Sequence, residues 1–272
     1  MRALLASPLG LLIGLSLGAL GGGGSILAVP ALVYAAGQDA KHATATSLVL
    51  VALTAFIGIV PHLRAGRVRV AAGTVFGLAG IGGSLLGSRW NKAADPDALL
   101  LAFSGLMLVA AVAMWRRARA TAPTPAPAAR SVGAAAAPVV THTAVHLDLA
   151  TVLKVIAAGS VVGLLTGFFG VGGGFVIVPA LVLALRFTMP EAIGTSLLVI
   201  AINALVALST RLHAGTIDWG TVIPFTVASL IGVVIGGRLA STRDARSLQR
   251  WFVGLLVVVA IYTAVRSGIA LS

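Results

Sequence analysis

Long, nearly unbroken apolar stretches recur along the whole chain, at about 9–36, 43–61, 70–89, 97–115, 158–185, 192–210, 219–239 and 248–266. A helix needs about 20 apolar residues to cross a hydrocarbon core of roughly 30 Å, and these runs are of that order. They are continuous rather than alternating, which excludes a β-barrel. With 58% of its 272 residues hydrophobic and a mean hydropathy of +1.06, a soluble fold would leave much apolar surface in water. The solvent is therefore lipid, and the expected fold is an all-α polytopic membrane protein.

The formal net charge is +12, from 19 Lys and Arg against 7 Asp and Glu. Nucleic acid does not account for it, because the basic residues cluster at the ends of apolar runs, as Arg64, Arg67 and Arg69 or Arg116, Arg117 and Arg119 do. Cytoplasmic loops and anionic membrane lipids are the partners such placement fits. The sequence has no cysteine, which removes thiol catalysis, disulfides and thiolate metal sites. Met1-Arg2-Ala3-Leu4 with its apolar continuation has the look of a signal peptide, but the segment recurs inside the chain and is expected to be retained.

That recurrence is extensive. Residues 21–33, GGGGSILAVPALV, match residues 170–182, GVGGGFVIVPALV, at eight of thirteen positions with an offset of 149. The same offset sets Gly14 on Gly163, Thr46-Ser47-Leu48 on Thr195-Ser196-Leu197, Ala65-Gly66 on Ala214-Gly215, Gly87 on Gly236, Arg89 on Arg238 and Phe103 on Phe252. The chain reads as two homologous repeats of four apolar segments, residues 1–117 and 151–272, joined by an Ala/Pro-rich linker at 118–150. His142 and His146 in the linker, without carboxylates or cysteines nearby, make a poor metal site, and neither metal nor cofactor is expected.

In each repeat a glycine cluster interrupts the first segment and a proline follows, both unfavourable in a continuous helix. Residues 10–20 would rise only about 16 Å as a helix, half a bilayer core. If the broken segment crosses fully, the repeats are parallel and the 19 basic residues divide 11 to 8 between the two faces. If it dips in and returns, the repeats are inverted and the division is 13 to 6. Positive charge favours the cytoplasmic face, so the expectation is inverted repeats with broken or re-entrant first segments, a cytoplasmic linker and both termini outside.

Backbone that leaves helical geometry at membrane depth must be buried in protein or line a wet cavity. The candidate solute site is accordingly Gly21, Gly22, Gly23, Gly24 and Ser25, with Gly170, Gly172, Gly173 and Gly174; glycine admits a ligand to bare backbone, and a helix resuming there aims N–H groups at an anion. The bland alternative is close helix packing, as at Gly83/Gly87 and Gly232/Gly236. A phosphate-loop reading fails, since no Lys-Ser/Thr follows the glycines. Thr46, Ser47, Thr195, Ser196 and Asn203 add polar lining within apolar runs, unless they only bond their own helices. Thr54, Pro30, Pro179, His62, Arg64, Arg211 and His213 are candidates for gates or mouths, and the Arg and His pairs could equally be headgroup anchors. All seven acidic residues fall at segment ends or in loops, which disfavours cation transport and carboxylate catalysis. No nucleophile, acid–base pair or metal cluster suggests an enzyme.

The doubled Gly-rich-x-Val-Pro-Ala-Leu motif, Ala45-Thr46-Ser47-Leu48 with Gly194-Thr195-Ser196-Leu197, and Ala65-Gly66 resemble the sulfite exporter TauE/SafE family over residues 9–117 and 158–268. The resemblance implies a multi-pass permease of the bacterial inner (plasma) membrane for sulfite, organosulfonates or related anions; the two repeats are expected to work by alternating access around a site between them. Its motif residues correspond here to Gly21–Gly24, Pro30, Gly170–Gly174, Pro179, Thr46, Ser47, Thr195 and Ser196. The other reading is a non-transporting membrane scaffold or assembly subunit, and either is compatible with a homo-oligomer.

Overall fold

The computed structural model describes residues 2–24, 32, 40–91, 96–120, 149–169, 174–211 and 219–271. Among them the chain is helical throughout: α1 (Arg2–Leu20), a 3-10 turn (Gly21–Gly24), α2 (Ala40–Arg64), α3 (Val70–Asn91), α4 (Pro96–Ala120), α5 (Leu149–Phe169), α6 (Gly174–Leu183), α7 (Met189–Arg211), α8 (Trp219–Thr242) and α9 (Ala245–Leu271). Seven of these, α2 to α5 and α7 to α9, contain stretches long and apolar enough to cross a membrane; Pro8–Leu20 and Gly174–Leu183 are shorter apolar pieces. Leu85, Val109, Val161 and Val258 are 65, 67, 58 and 66% exposed, an outward apolar surface that suits lipid tails.

Helix α1 gives way to the 3-10 turn at Gly21–Gly24, and α5 ends at Phe169 with α6 starting at Gly174; each helix before the glycines is longer than its apolar run. The two start at Arg2 and Leu149 rather than near residues 10 and 158, because a few residues around Lys154 continue the helix although they interrupt the apolar pattern. The 21 residues of α5 rise about 31 Å, whereas the apolar piece Pro8–Leu20 of α1 rises only about 20 Å.

Close packing explains most of the remaining glycines. Between α3 and α5, a Cβ on Gly83 would overlap the Ser160 carbonyl, one on Gly87 that of Leu164, and one on Gly163 that of Gly80. Between α1 and α8 the same overlaps recur 149 residues away, Gly232 on Leu11, Gly236 on Leu15 and Gly14 on Ser229. In lipid no hydrophobic force draws helices together, so backbone approach over small residues is the main source of affinity. A single methyl in either seam would have to push two helices apart.

These contacts also set directions. Phe76 lies against Gly159 and Leu164 against Gly87, so α3 and α5 run parallel. By the same reasoning α1 is parallel to α8, α2 to α8 (Gly58 at Val233, Pro61 at Gly237) and α3 to α7 (Gly73 at Thr195, Gly77 at Ile202). In contrast, α2 and α7 cross antiparallel, with Gly58 at Leu197 and His62 at Gly194. Helix α6 runs alongside α4, since Phe175 packs on Phe103 with ring centroids 4.9 Å apart and the Arg117 guanidinium donates to the Leu183 carbonyl at 3.4 Å. The α5–α6 pair therefore enters from one face and turns back to it. That face gathers the ends of α2, α4, α6 and α8 and the starts of α3, α5, α7 and α9, and with them Arg64, Arg67, Arg69, Arg116, Arg117, Arg119, Lys154, Arg186, Arg243, Arg246 and Arg250.

Candidate functional site

Helix α1 stops at Leu20 because Gly21 adopts a left-handed φ of 69°, a C-terminal stop that glycine takes without steric cost. The chain then turns against the first turns of α7, where a Cβ on Gly21 would come within 2.5 Å of Ser196 Oγ and 3.2 Å of Ile193 Cα. One residue on, Gly22 touches the backbone of Gly174, the first residue of α6. The break of one half is thus in direct contact with the break of the other, and both glycines are buried. Helix α6 begins there with Phe175, held in a cluster with Phe103 and Phe169, and its Pro179 is buried within the ten-residue helix.

Thr46, Thr195 and Ser196 are fully buried and Ser47 is 6% exposed; of these, Ser196 faces the Gly21 turn. Their hydroxyls are not equivalent. Thr195 Oγ1 accepts the Arg69 backbone N–H at 3.1 Å, and Ser196 Oγ donates to the Ile193 carbonyl at 2.8 Å. Thr54 Oγ1 donates to the Leu50 carbonyl at 2.7 Å, the bland role for a membrane threonine. Thr46 Oγ1, Asn203 Oδ1 and both ring nitrogens of His62, by contrast, are buried with no hydrogen-bond partner. Leaving such a group unsatisfied costs about 1–3 kcal/mol.

His62, expected at a mouth, is only 2% exposed. It lies on the last turn of α2 beside Gly194, and the lack of a side chain at Gly194 makes room for it. The Gly18 backbone is also close, yet neither imidazole nitrogen makes a hydrogen bond of ordinary geometry. His62 and Gly21 therefore reach the same turn of α7, residues 193–196, from two sides. Arg64 is exposed. Gly23 and Gly24 complete the 3-10 turn, whereas Ser25, Pro30, Gly170, Gly172, Gly173, His213 and the side chain of Arg211 lie outside the described residues. The described parts of the break are in contact with one another, not parted by an open cavity. A cavity of about 540 Å³ lies instead between α1, α8 and α9.

The fold adds a clamp that apolar pattern alone did not show. Helix α2 ends in a Schellman turn with Gly66 at φ 64°, where Arg67 N–H donates to the His62 carbonyl at 2.9 Å and Gly66 N–H to that of Leu63 at 3.0 Å. The turn carries Arg69 onto α7, where its guanidinium donates to Glu191 Oε1 at 3.0 and 2.7 Å. Glu191 also caps the start of its own helix, accepting the Thr188 N–H at 3.1 Å and the Thr188 hydroxyl at 3.0 Å. Two sequence signals point to this clamp: the Thr188-x-x-Glu191 spacing, and the offset that sets Arg69 on Asp218 and Glu191 on His42, with opposite charge character at both positions. Because Arg69 is 40% and Glu191 23% exposed, Arg69→Gln is expected to lower stability by about 1 kcal/mol. The exchange Arg69→Glu with Glu191→Arg should recover part of that in a detergent melt; three identical melting curves would show that the pair holds nothing.

A family model described as Sulfite exporter TauE/SafE matches residues 6–263. A relative from Xylella fastidiosa (strain 9a5c), called "Probable membrane transporter protein", is 37% identical over 267 residues, covering 96% of this chain and 94% of the relative. "Probable membrane transporter protein YunE" of Bacillus subtilis (strain 168) is 25% identical over 267 residues, covering 95% and 92% respectively. No solved structure matches the chain.

Proposed function

The chain belongs to the sulfite exporter TauE/SafE family and is a multi-pass bacterial membrane transporter, not an enzyme; from that premise we propose that it moves sulfite or an organosulfonate by alternating access between two inverted repeats. The observation that carries this reading is the buried contact of Gly22 with Gly174, where the interrupted backbones of the two halves meet. Interrupted backbone at membrane depth needs polar partners, and at such a junction a change in helix packing would hand bare N–H groups from one partner to a solute. The antiparallel crossing of α2 and α7, and the seam contacts that recur at one offset, favour inverted repeats on either side of the linker. The basic residues gathered on one face favour a cytoplasmic linker.

In this scheme Gly21–Gly24, Ser25, Gly170, Gly172–Gly174, Thr46, Ser47, Thr195, Ser196 and Asn203 line the solute site. Thr54, Pro30, Pro179, His62, Arg64, Arg211 and His213 shape its gates. The arrangement described is closed at the junction, as one state of an alternating cycle requires. An anion suits it, because the available groups are amide and hydroxyl donors and an imidazole, and the nearby carboxylate of Glu191 is neutralised by Arg69. The test is uptake by proteoliposomes of labelled sulfite, taurine and sulfoacetate, with sulfate and acetate as comparisons. Saturable movement of sulfite, taurine or sulfoacetate in excess of sulfate and acetate, and above protein-free vesicles, is expected. Movement of acetate alone would overturn the substrate assignment, and movement of none of them would favour a scaffold.

A further inference from the structure

The 540 Å³ cavity is independent of the solute site. Its wall is apolar, formed by Leu15 and Leu20 of α1, Leu239 of α8 and Leu255 of α9, and its edge carries Arg243, Arg250 and Trp251. Trp251 is 71% and Leu239 40% exposed, so the groove opens sideways rather than into the bundle. Both arginines are exposed, lie on the strongly basic face, and make no ion pair among the described residues, Asp244 included. Arg250 also borders a second, smaller cavity of about 250 Å³ with Trp115 and Gln249, so its guanidinium stands on the ridge between two grooves.

We propose that this groove binds one anionic phospholipid, its phosphate held by Arg243 and Arg250 and an acyl chain laid along the last turns of α1. The depth profile fits: cations and a tryptophan sit where headgroups lie, and leucines sit below them. A soluble anion would use the arginines but not the leucines, and a neutral lipid would use the leucines but not the arginines. The site is also one-sided. The offset of 149 places Ala94, Leu101 and Ala102 where Arg243, Arg250 and Trp251 stand, so the other half lacks the cationic rim. Packing of the repeats therefore does not require these residues. The lipid would rest on Leu15 and Leu20, immediately before the break at Gly21, and would brace the helix that ends there.

Native mass spectrometry and thermal melts of the purified full-length protein, titrated with phosphatidylglycerol, phosphatidylethanolamine or glycerol phosphate, test the proposal. Phosphatidylglycerol should be retained and raise the melting temperature, with an apparent affinity that falls ~5-fold for each of Arg243→Gln and Arg250→Gln. The other two compounds should do neither. Gly254 lines both cavities, and nothing lies within 4 Å of a Cβ placed on it, so Gly254→Leu should fold normally and fill the groove. Equal retention of phosphatidylglycerol by the wild type, the arginine variants and Gly254→Leu would overturn the site. A shift by glycerol phosphate matching that by phosphatidylglycerol would reduce it to a soluble-anion site.

Discussion

Gly22→Val is expected to lower solute movement in proteoliposomes at least 10-fold. A Cβ at this position would meet the carbonyl oxygen, carbonyl carbon and Cα of Gly174 all at once. All three are backbone atoms, so no rotamer change relieves the overlap, and the two breaks must separate by more than a flexible neighbour could absorb. Overpacking of an ordinary core costs about 1–3 kcal/mol, and a rigid backbone contact lies at the top of that range or above it. Each 1.4 kcal/mol placed on one state of a transport cycle is about tenfold in its population. Gly82 and Gly105 are the controls: a Cβ on either meets nothing within 4 Å, so valine there should leave the rate within about twofold and the melt nearly unchanged. If Gly22→Val folds and transports at the wild-type rate, the junction is not where the solute passes.

Much of this architecture is written in the sequence, and the parts that are not have physical reasons. Membrane spans are legible because lipid demands long apolar runs, and the breaks because Gly21–Gly24 cannot continue a helix within one. Gly83, Gly87, Gly232 and Gly236 were readable as packing positions, though which helix each one meets was not. Partner choice depends on three-dimensional direction, which a linear pattern does not encode. Helices α1 and α5 start before their apolar runs because apolarity marks where lipid begins, while hydrogen bonding marks where the helix begins. The candidate site was legible as a list of polar groups but not as a network. Only the fold reveals that Thr195 is occupied by the Arg69 backbone, Ser196 by its own helix, and His62 by nothing. The equivalent hydroxyls of Thr46 and Thr195 thus divide into a free and a fixed one, the second held by a residue more than a hundred positions away.

The free imidazole leads to a test in which stability and activity should move in opposite directions. His62→Leu removes two buried ring nitrogens that lack partners and leaves an apolar side chain beside Gly18 and Gly194. Relief of an unsatisfied buried polar group is worth about 1–3 kcal/mol, offset by somewhat poorer filling of the ring's volume. The melting temperature should therefore hold or rise. Solute movement should fall at least 10-fold if the ring serves the anion in the state where the Gly21 turn and residues 193–196 separate, because leucine can donate no hydrogen bond. A histidine present only to fill space predicts the reverse: leucine would keep the rate, and any loss would follow a loss of stability. His62→Gln, which keeps an N–H donor at similar reach, should restore part of the rate without restoring the original melting temperature. A His62→Leu protein that is stable and transports like the wild type would remove the imidazole from the site.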